Sequence, residues 1–121
     1  MKRKLSELEY RAMLLMANSV KDLAQREQLI SDLKSSAVED RVNGEILAFH
    51  IQGYSRSEYT GQHEFQSLDG FPIEGKVADA YGNEVAVWLF ADTNNRILEV
   101  ELNNYTGDIL FPVSWDKFRI K

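Results

Sequence analysis

Apolar positions recur at helical spacing in the first third of the chain and at spacing two in the rest. Ser6-Glu7-Leu8-Glu9 is a capping box, in which the Ser6 hydroxyl accepts from the Glu9 N–H and the Glu9 carboxylate reaches back. Leu5 and Tyr10 stand where a hydrophobic staple would. Leu8, Ala12, Leu15 and Met16 predict a helix to about Ala17, broken by Asn18-Ser19. Ser19 and Asp22 open a second helix, with Val20, Leu23, Ala24, Ile30 and Leu33 on one stripe. Lys34–Asp40 is polar and weakly patterned and reads as loop.

From Asn43 onward the period is two. Strand-like runs cover Ile46–Ile51, His63–Ser67, Ile73–Ala80, Glu84–Ala91, Ile97–Asn103 and Ile109–Val113, with a short end strand at Lys117–Lys121. Tyr54–Gln62 reads as a loop. Turn signals at Asp69-Gly70, Tyr81-Gly82-Asn83, Asn94-Asn95 and Thr106-Gly107-Asp108 leave short connections, which favour antiparallel hairpins. The expected fold is α+β. Two N-terminal helices pack on one face of an antiparallel β-meander of about five or six strands, in a single domain over 1–121. The helical part covers about 6–34 and the sheet part about 44–121.

The turns also set an expected register. A two-residue type I′ turn at Asn94-Asn95 puts Ala91 opposite Leu98, Leu89 opposite Val100 and Val87 opposite Leu102. Closing the preceding hairpin over Tyr81-Gly82-Asn83 puts Val85 opposite Asp79 and Val87 opposite Val77. The aliphatic residues then share one face, toward the helices. The other face carries Phe90 between Glu74 and Glu99, and Trp88 between Lys76 and Glu101. Two readings of that face stay open. The aromatics lie under the C-terminal segment, with Phe111, Trp115 and Phe118 as cover. Alternatively, they form an aromatic pair rimmed by carboxylates, a composition suited to a basic protein partner. The Asp69-Gly70 connection should be a longer loop or a bulge, because Pro72 cannot donate to a ladder.

Composition narrows the chemistry. The chain has 121 residues, 44% hydrophobic and 27% charged, which suits one globular domain. Cysteine is absent and there are two histidines, so disulfides, thiolate metal sites and cysteine nucleophiles are excluded. No run is long enough to cross a membrane, and no secretory core follows Lys2-Arg3-Lys4, so a cytoplasmic location is expected. Asn104-Tyr105-Thr106 matches a glycosylation sequon, which carries no weight without export.

The net charge of −5 is unevenly spread. Residues 1–41 hold 8 basic and 7 acidic groups, residues 42–113 hold 3 and 11, and residues 114–121 hold 3 and 1. The middle segment is thus at −8. Such a surface keeps a protein soluble, or steers a basic partner. It disfavours direct binding of nucleic acid.

No catalytic constellation is present. His50 and His63 stand alone, and His63-Glu64 lacks the second histidine of a zincin helix. Asp92-Thr93-Asn94 opens like a calcium loop without the Gly and Glu that complete one. Glu99 and Glu101 share a strand face but no evident cleft. No catalytic residue, metal or cofactor is expected.

Glu64-Phe65, Asp69-Gly70, Tyr81-Gly82-Asn83 and Ile97-Leu98-Glu99-Val100-Glu101-Leu102 together resemble the core of small bacterial immunity proteins. These accompany polymorphic toxins, including contact-dependent growth inhibition systems. The resemblance covers His63–Asp108; Trp115 and the basic tail Lys117–Lys121 have no counterpart in it. It implies a cytoplasmic antidote that binds one cognate toxin domain, a basic nuclease in the commonest case, and blocks its active site or substrate path. The interface candidates are then Glu74, Trp88, Phe90, Glu99 and Glu101, followed by Glu58, Glu64 and Asp69. The competing readings are an acidic regulatory or scaffold-binding module, and a small ligand-binding domain or enzyme with a pocket between helices and sheet.

Overall fold

The computed structural model describes residues 1–56, 71–105 and 107–121. The expected strand His63–Ser67, the Asp69-Gly70 turn, His63, Glu58, Glu64 and Asp69 lie outside the described residues.

A two-residue strand β1 (Lys2–Arg3) precedes helix α1 (Glu7–Asn18). The capping box forms: Glu9 N–H donates to Ser6 Oγ at 3.2 Å, and Ser6 N–H donates to Glu9 Oε1 at 2.7 Å. The buried stripe is Glu9, Ala12, Met13, Met16 and Ala17, while Leu8 and Leu15 are exposed. This is a rotation from the expected stripe. Its cause is Glu9, which turns inward because Arg3 holds both carboxylate oxygens, at 2.8 and 2.9 Å.

Helix α2 (Leu23–Lys34) starts at the Asp22 cap, where Gln25 N–H donates to Asp22 Oδ2 at 2.9 Å. Its buried residues are Leu29, Asp32 and Leu33, and Leu23 and Ala24 face solvent. Here too an inward carboxylate sets the face. Asp32 accepts from the Arg96 guanidinium at 2.8 Å and from the Ile97 N–H at 3.1 Å.

The expected loop at 34–40 is instead strand β2 (Ser36–Arg41). Only Val38 turns into the core, so the apolar pattern is faint, but β1 and β3 (Ile46–Ile51) supply ladders on both sides. The β2–β3 turn carries three positive φ values in a row, at Val42 (52°), Asn43 (55°) and Gly44 (90°). A β-branched valine in that region is strained.

Strands β4 (Ile73–Ala78), β5 (Glu84–Ala91), β6 (Ile97–Asn103) and β7 (Ser114–Ile120) complete one sheet. Its order is β1-β2-β3-β6-β5-β4-β7, with every pairing antiparallel. The two helices pack on one face, as expected for an α+β fold. The described sheet has seven strands, slightly more than expected. Ile109–Val113 is not a strand: Pro112 has no N–H to give, and the ladder with β4 begins at Ser114.

Both hairpin turns of the meander use one device. Asp79 Oδ1 accepts from the N–H groups of Tyr81 and Asn83, and Asp92 Oδ1 from those of Asn94 and Arg96. Gly82 (φ 85°) and Asn95 (φ 64°) take the left-handed position. Each is therefore a three-residue loop ending in a left-handed residue: the second replaces the expected two-residue turn, and the first is shifted by one residue from the expected closure over Tyr81-Gly82-Asn83. The consequence is a corrected register. Leu89–Val100 and Val87–Leu102 pair as expected, but Ala91 pairs with Ile97, not Leu98, across a bulge. Across β4–β5, Val85 pairs with Val77 and Val87 with Gly75, two residues from the expected alignment. A slip of two keeps every side chain on its expected face.

The helix-facing core runs through Met13, Met16, Leu29, Val38, Phe49, Val77, Val85, Val87, Leu89 and Val100. Gly75 marks its tightest point. A Cβ there would lie 2.4 Å from the Phe118 ring of β7, so the missing side chain is what admits that ring.

Candidate partner interface

The face away from the helices was expected to carry the interface. Trp88 there lies directly between Glu74 of β4 and Glu101 of β6. The expected neighbour Lys76 sits one pair along, between Ala86 and Arg119. Trp88, Glu74 and Glu101 are all half-buried. The Trp88 ring is 6.1 Å from that of Tyr105, at a 59° tilt, and Tyr105 is 74% exposed.

Phe90 and Glu99 pair with each other but are only 3% and 1% exposed. They belong to the interior and present no surface to a partner. The proposed cover for the aromatics does not lie there either. Trp115 and Phe118 pack against the helix-side core, and Phe111 lies against Gly44 at the tip of the sheet. Glu58, Glu64 and Asp69 are outside the described residues.

Charge that is segregated along the chain is mixed in space. Because β7 pairs with β4, the basic tail runs beside the acidic strands. Lys121 Nζ sits 3.2 Å from the Glu74 carboxylate, and Glu84 receives Lys76 at 2.8 Å and Arg119 at 3.8 Å. The Lys76 hydrogen bond and charge hold the Glu84 carboxyl below its usual range. Of the carboxylates beside Trp88, Glu74 is thus balanced by Lys121 at the β7 edge.

Sequence reasoning missed the tip of the sheet. Antiparallel alternation brings the β2–β3 turn, the β4–β5 turn, the segment after β6 and the segment before β7 to one end. Tyr81 (82% exposed), Tyr105, Val42, Leu110 and Phe111 stand there. The Ala80 N–H donates to the Leu110 carbonyl at 2.7 Å, joining two of these segments. Their signal in the sequence was aromatic residues inside turns, where packing does not need them.

The opposite end is braced by a polar network. Asp92 Oδ2 accepts from Tyr54 Oη and from Arg56, each at 2.7 Å. Arg96 lies 4.3 Å from the Tyr54 ring centroid and grips Asp32. Burial, with the Asp92 charge beside it, raises the Tyr54 phenol above its usual range. Both Asp92 oxygens are engaged by these donors and by the turn amides, so the calcium-like opening serves the hairpin. Among the described residues, no group of three or more His, Asp or Glu could hold a metal. His50 Nε2 is 3.1 Å from Glu39 Oε1, and His63 lies outside the described residues. No described helix is long and apolar enough to cross a membrane.

A scan against protein-family models finds no match, and searches of curated proteins and of solved structures find none either.

Proposed function

We propose that this protein is an immunity protein that works by binding: it neutralises a cognate basic toxin domain, in the first instance a nuclease, in the cytoplasm. The observation that carries the reading is the arrangement of Trp88 between Glu74 and Glu101, with exposed Tyr105 beside it. Large amphipathic rings flanked by carboxylates are what an arginine- or lysine-bearing surface recognises best. The ring supplies buried area and cation–π attraction, and the carboxylates supply charge complementarity. The resemblance at Tyr81-Gly82-Asn83 and Ile97–Leu102 supports the same reading. On this account no cofactor, catalytic step, membrane or direct nucleic-acid contact is involved.

The test is co-expression with the product of the neighbouring coding region, which this reading expects to be the toxin. Growth should be restored by the wild type and lost with Trp88→Ala in a soluble, folded variant. Rescue that survives Trp88→Ala together with Tyr105→Ala would remove this face from the mechanism.

A further inference from the structure

We propose that the corner where β1, the end of α2 and the start of β2 meet binds a small ligand carrying adjacent phosphate groups. The sequence sets this up by alternation. Arg3 turns toward the helices, to Glu9 and Asp40, which sends Lys2 to the opposite side of the strand, and Lys4 lines the same cavity just past the strand end. Lys34 is the last residue of α2, and the chain turns through Ser35 directly into β2. The Gln52 N–H donates to the Ser35 carbonyl at 2.9 Å and fixes the corner against the end of β3.

The result is a 420 Å³ cavity lined by Lys2, Lys4, Lys34, Ser35, His50 and Gln52, among others, with no carboxylate in its wall. That volume falls in the range of small-molecule sites, about 300–1,000 Å³. In this acidic chain most basic side chains are already matched: Arg3, Arg11, Arg41, Arg56, Lys76, Arg96, Arg119 and Lys121 all meet a carboxylate. Lys2, Lys4 and Lys34 meet none among the described residues. The carboxylate nearest in register, Glu39 opposite Lys2, is occupied by Arg41 at 2.9 Å and by His50 at 3.1 Å.

Three ammonium-bearing side chains around one cavity with no carboxylate in its wall favour an anion there, and a multivalent one most. Lysines on flexible stems suit phosphate oxygens as point charges. Matching three positive charges takes more than one carboxylate, so the chemistry favours a diphosphate unit. The site shares no residue with the Trp88 strip, although Lys2 and His50 lie on the same face of the sheet, and it stands whether or not that strip binds a toxin.

The experiment is calorimetric titration of the intact protein with inorganic pyrophosphate. The wild type should show saturable binding at one site. Lys4→Ala with Lys34→Ala should weaken it about a hundredfold, roughly tenfold per ammonium. Lys21→Ala with Lys117→Ala removes the same charge from two other exposed lysines and should leave binding unchanged. All four side chains are exposed, so both variants should melt like the wild type. Absence of saturable binding by the wild type, or equal weakening in both variants, would overturn the proposal.

Discussion

Glu9 and Asp32 are carboxylates on the inner faces of their helices, and each is admitted by an arginine from outside its helix. Burial alone would raise the Glu9 pKa, but the Arg3 and Ser6 hydrogen bonds outweigh it and the net shift is downward. Arg3 likewise lowers Asp40. A depressed carboxylate pKa stabilises the fold above the unfolded value of about 4, and the contribution is lost as pH falls through the folded pKa. Arg3→Met should therefore cost about 2 kcal/mol at neutral pH, less than a fully buried pair because Arg3 is 38% exposed. The gap between variant and wild type should close below about pH 4, as read by urea unfolding at the two pH values. Gly75→Ala makes a steric test: a methyl 2.4 Å from Phe118 should cost about 1–3 kcal/mol. Combining it with Phe118→Ala should cost less than the two changes added, since both act on one contact.

At the level of elements, what could be read in advance depended on how local the cause was. The Ser6–Glu9 box needs only four neighbouring residues, and it forms as read. Ser6→Ala should cost about 1 kcal/mol in a thermal melt. The faces of α1 and α2 depend on Arg3, just outside α1, and on Arg96, far from α2 in sequence, so helical spacing alone picked Leu8, Leu15 and Leu23 wrongly. The β4–β5 and β5–β6 turns needed the side chains of Asp79 and Asp92, which a reading centred on Gly82 and Asn94-Asn95 left out. The face of Trp88 survived that error because the slip was even, whereas the neighbour opposite it changed from Lys76 to Glu74. The exposure of Phe90 and Glu99 was not legible, because alternation assigns a face and not what covers it. Backbone sign gives a further test. Gly82→Ala meets no atom within 4 Å, so its cost of about 1 kcal/mol is purely the left-handed φ. Val42→Asn should shift stability the other way by a similar amount, since asparagine tolerates the conformation that strains valine.

For the whole molecule, the sheet order matters more than the charge count. Placing β7 beside β4 neutralises part of the acidic segment and puts Lys117 and Arg119 on the last strand of the described sheet, with Lys121 just after it. Lysine and arginine on an open strand edge oppose pairing with a second copy. The strip proposed for a basic partner runs from Glu101 through Trp88 to Tyr105. Glu101→Lys should slow association and weaken its salt dependence, while Glu99→Lys should unfold the protein by reversing the charge at a position only 1% exposed. The central claim rests on the aromatic pair, and one titration tests it most directly. The product of the neighbouring coding region is titrated with wild type and with Trp88→Ala/Tyr105→Ala, after confirming that both are folded. The account predicts a loss of at least about 2 kcal/mol, roughly thirtyfold in affinity, in the double variant. Wild-type affinity in a folded double variant, or no binding by the wild type, would contradict it.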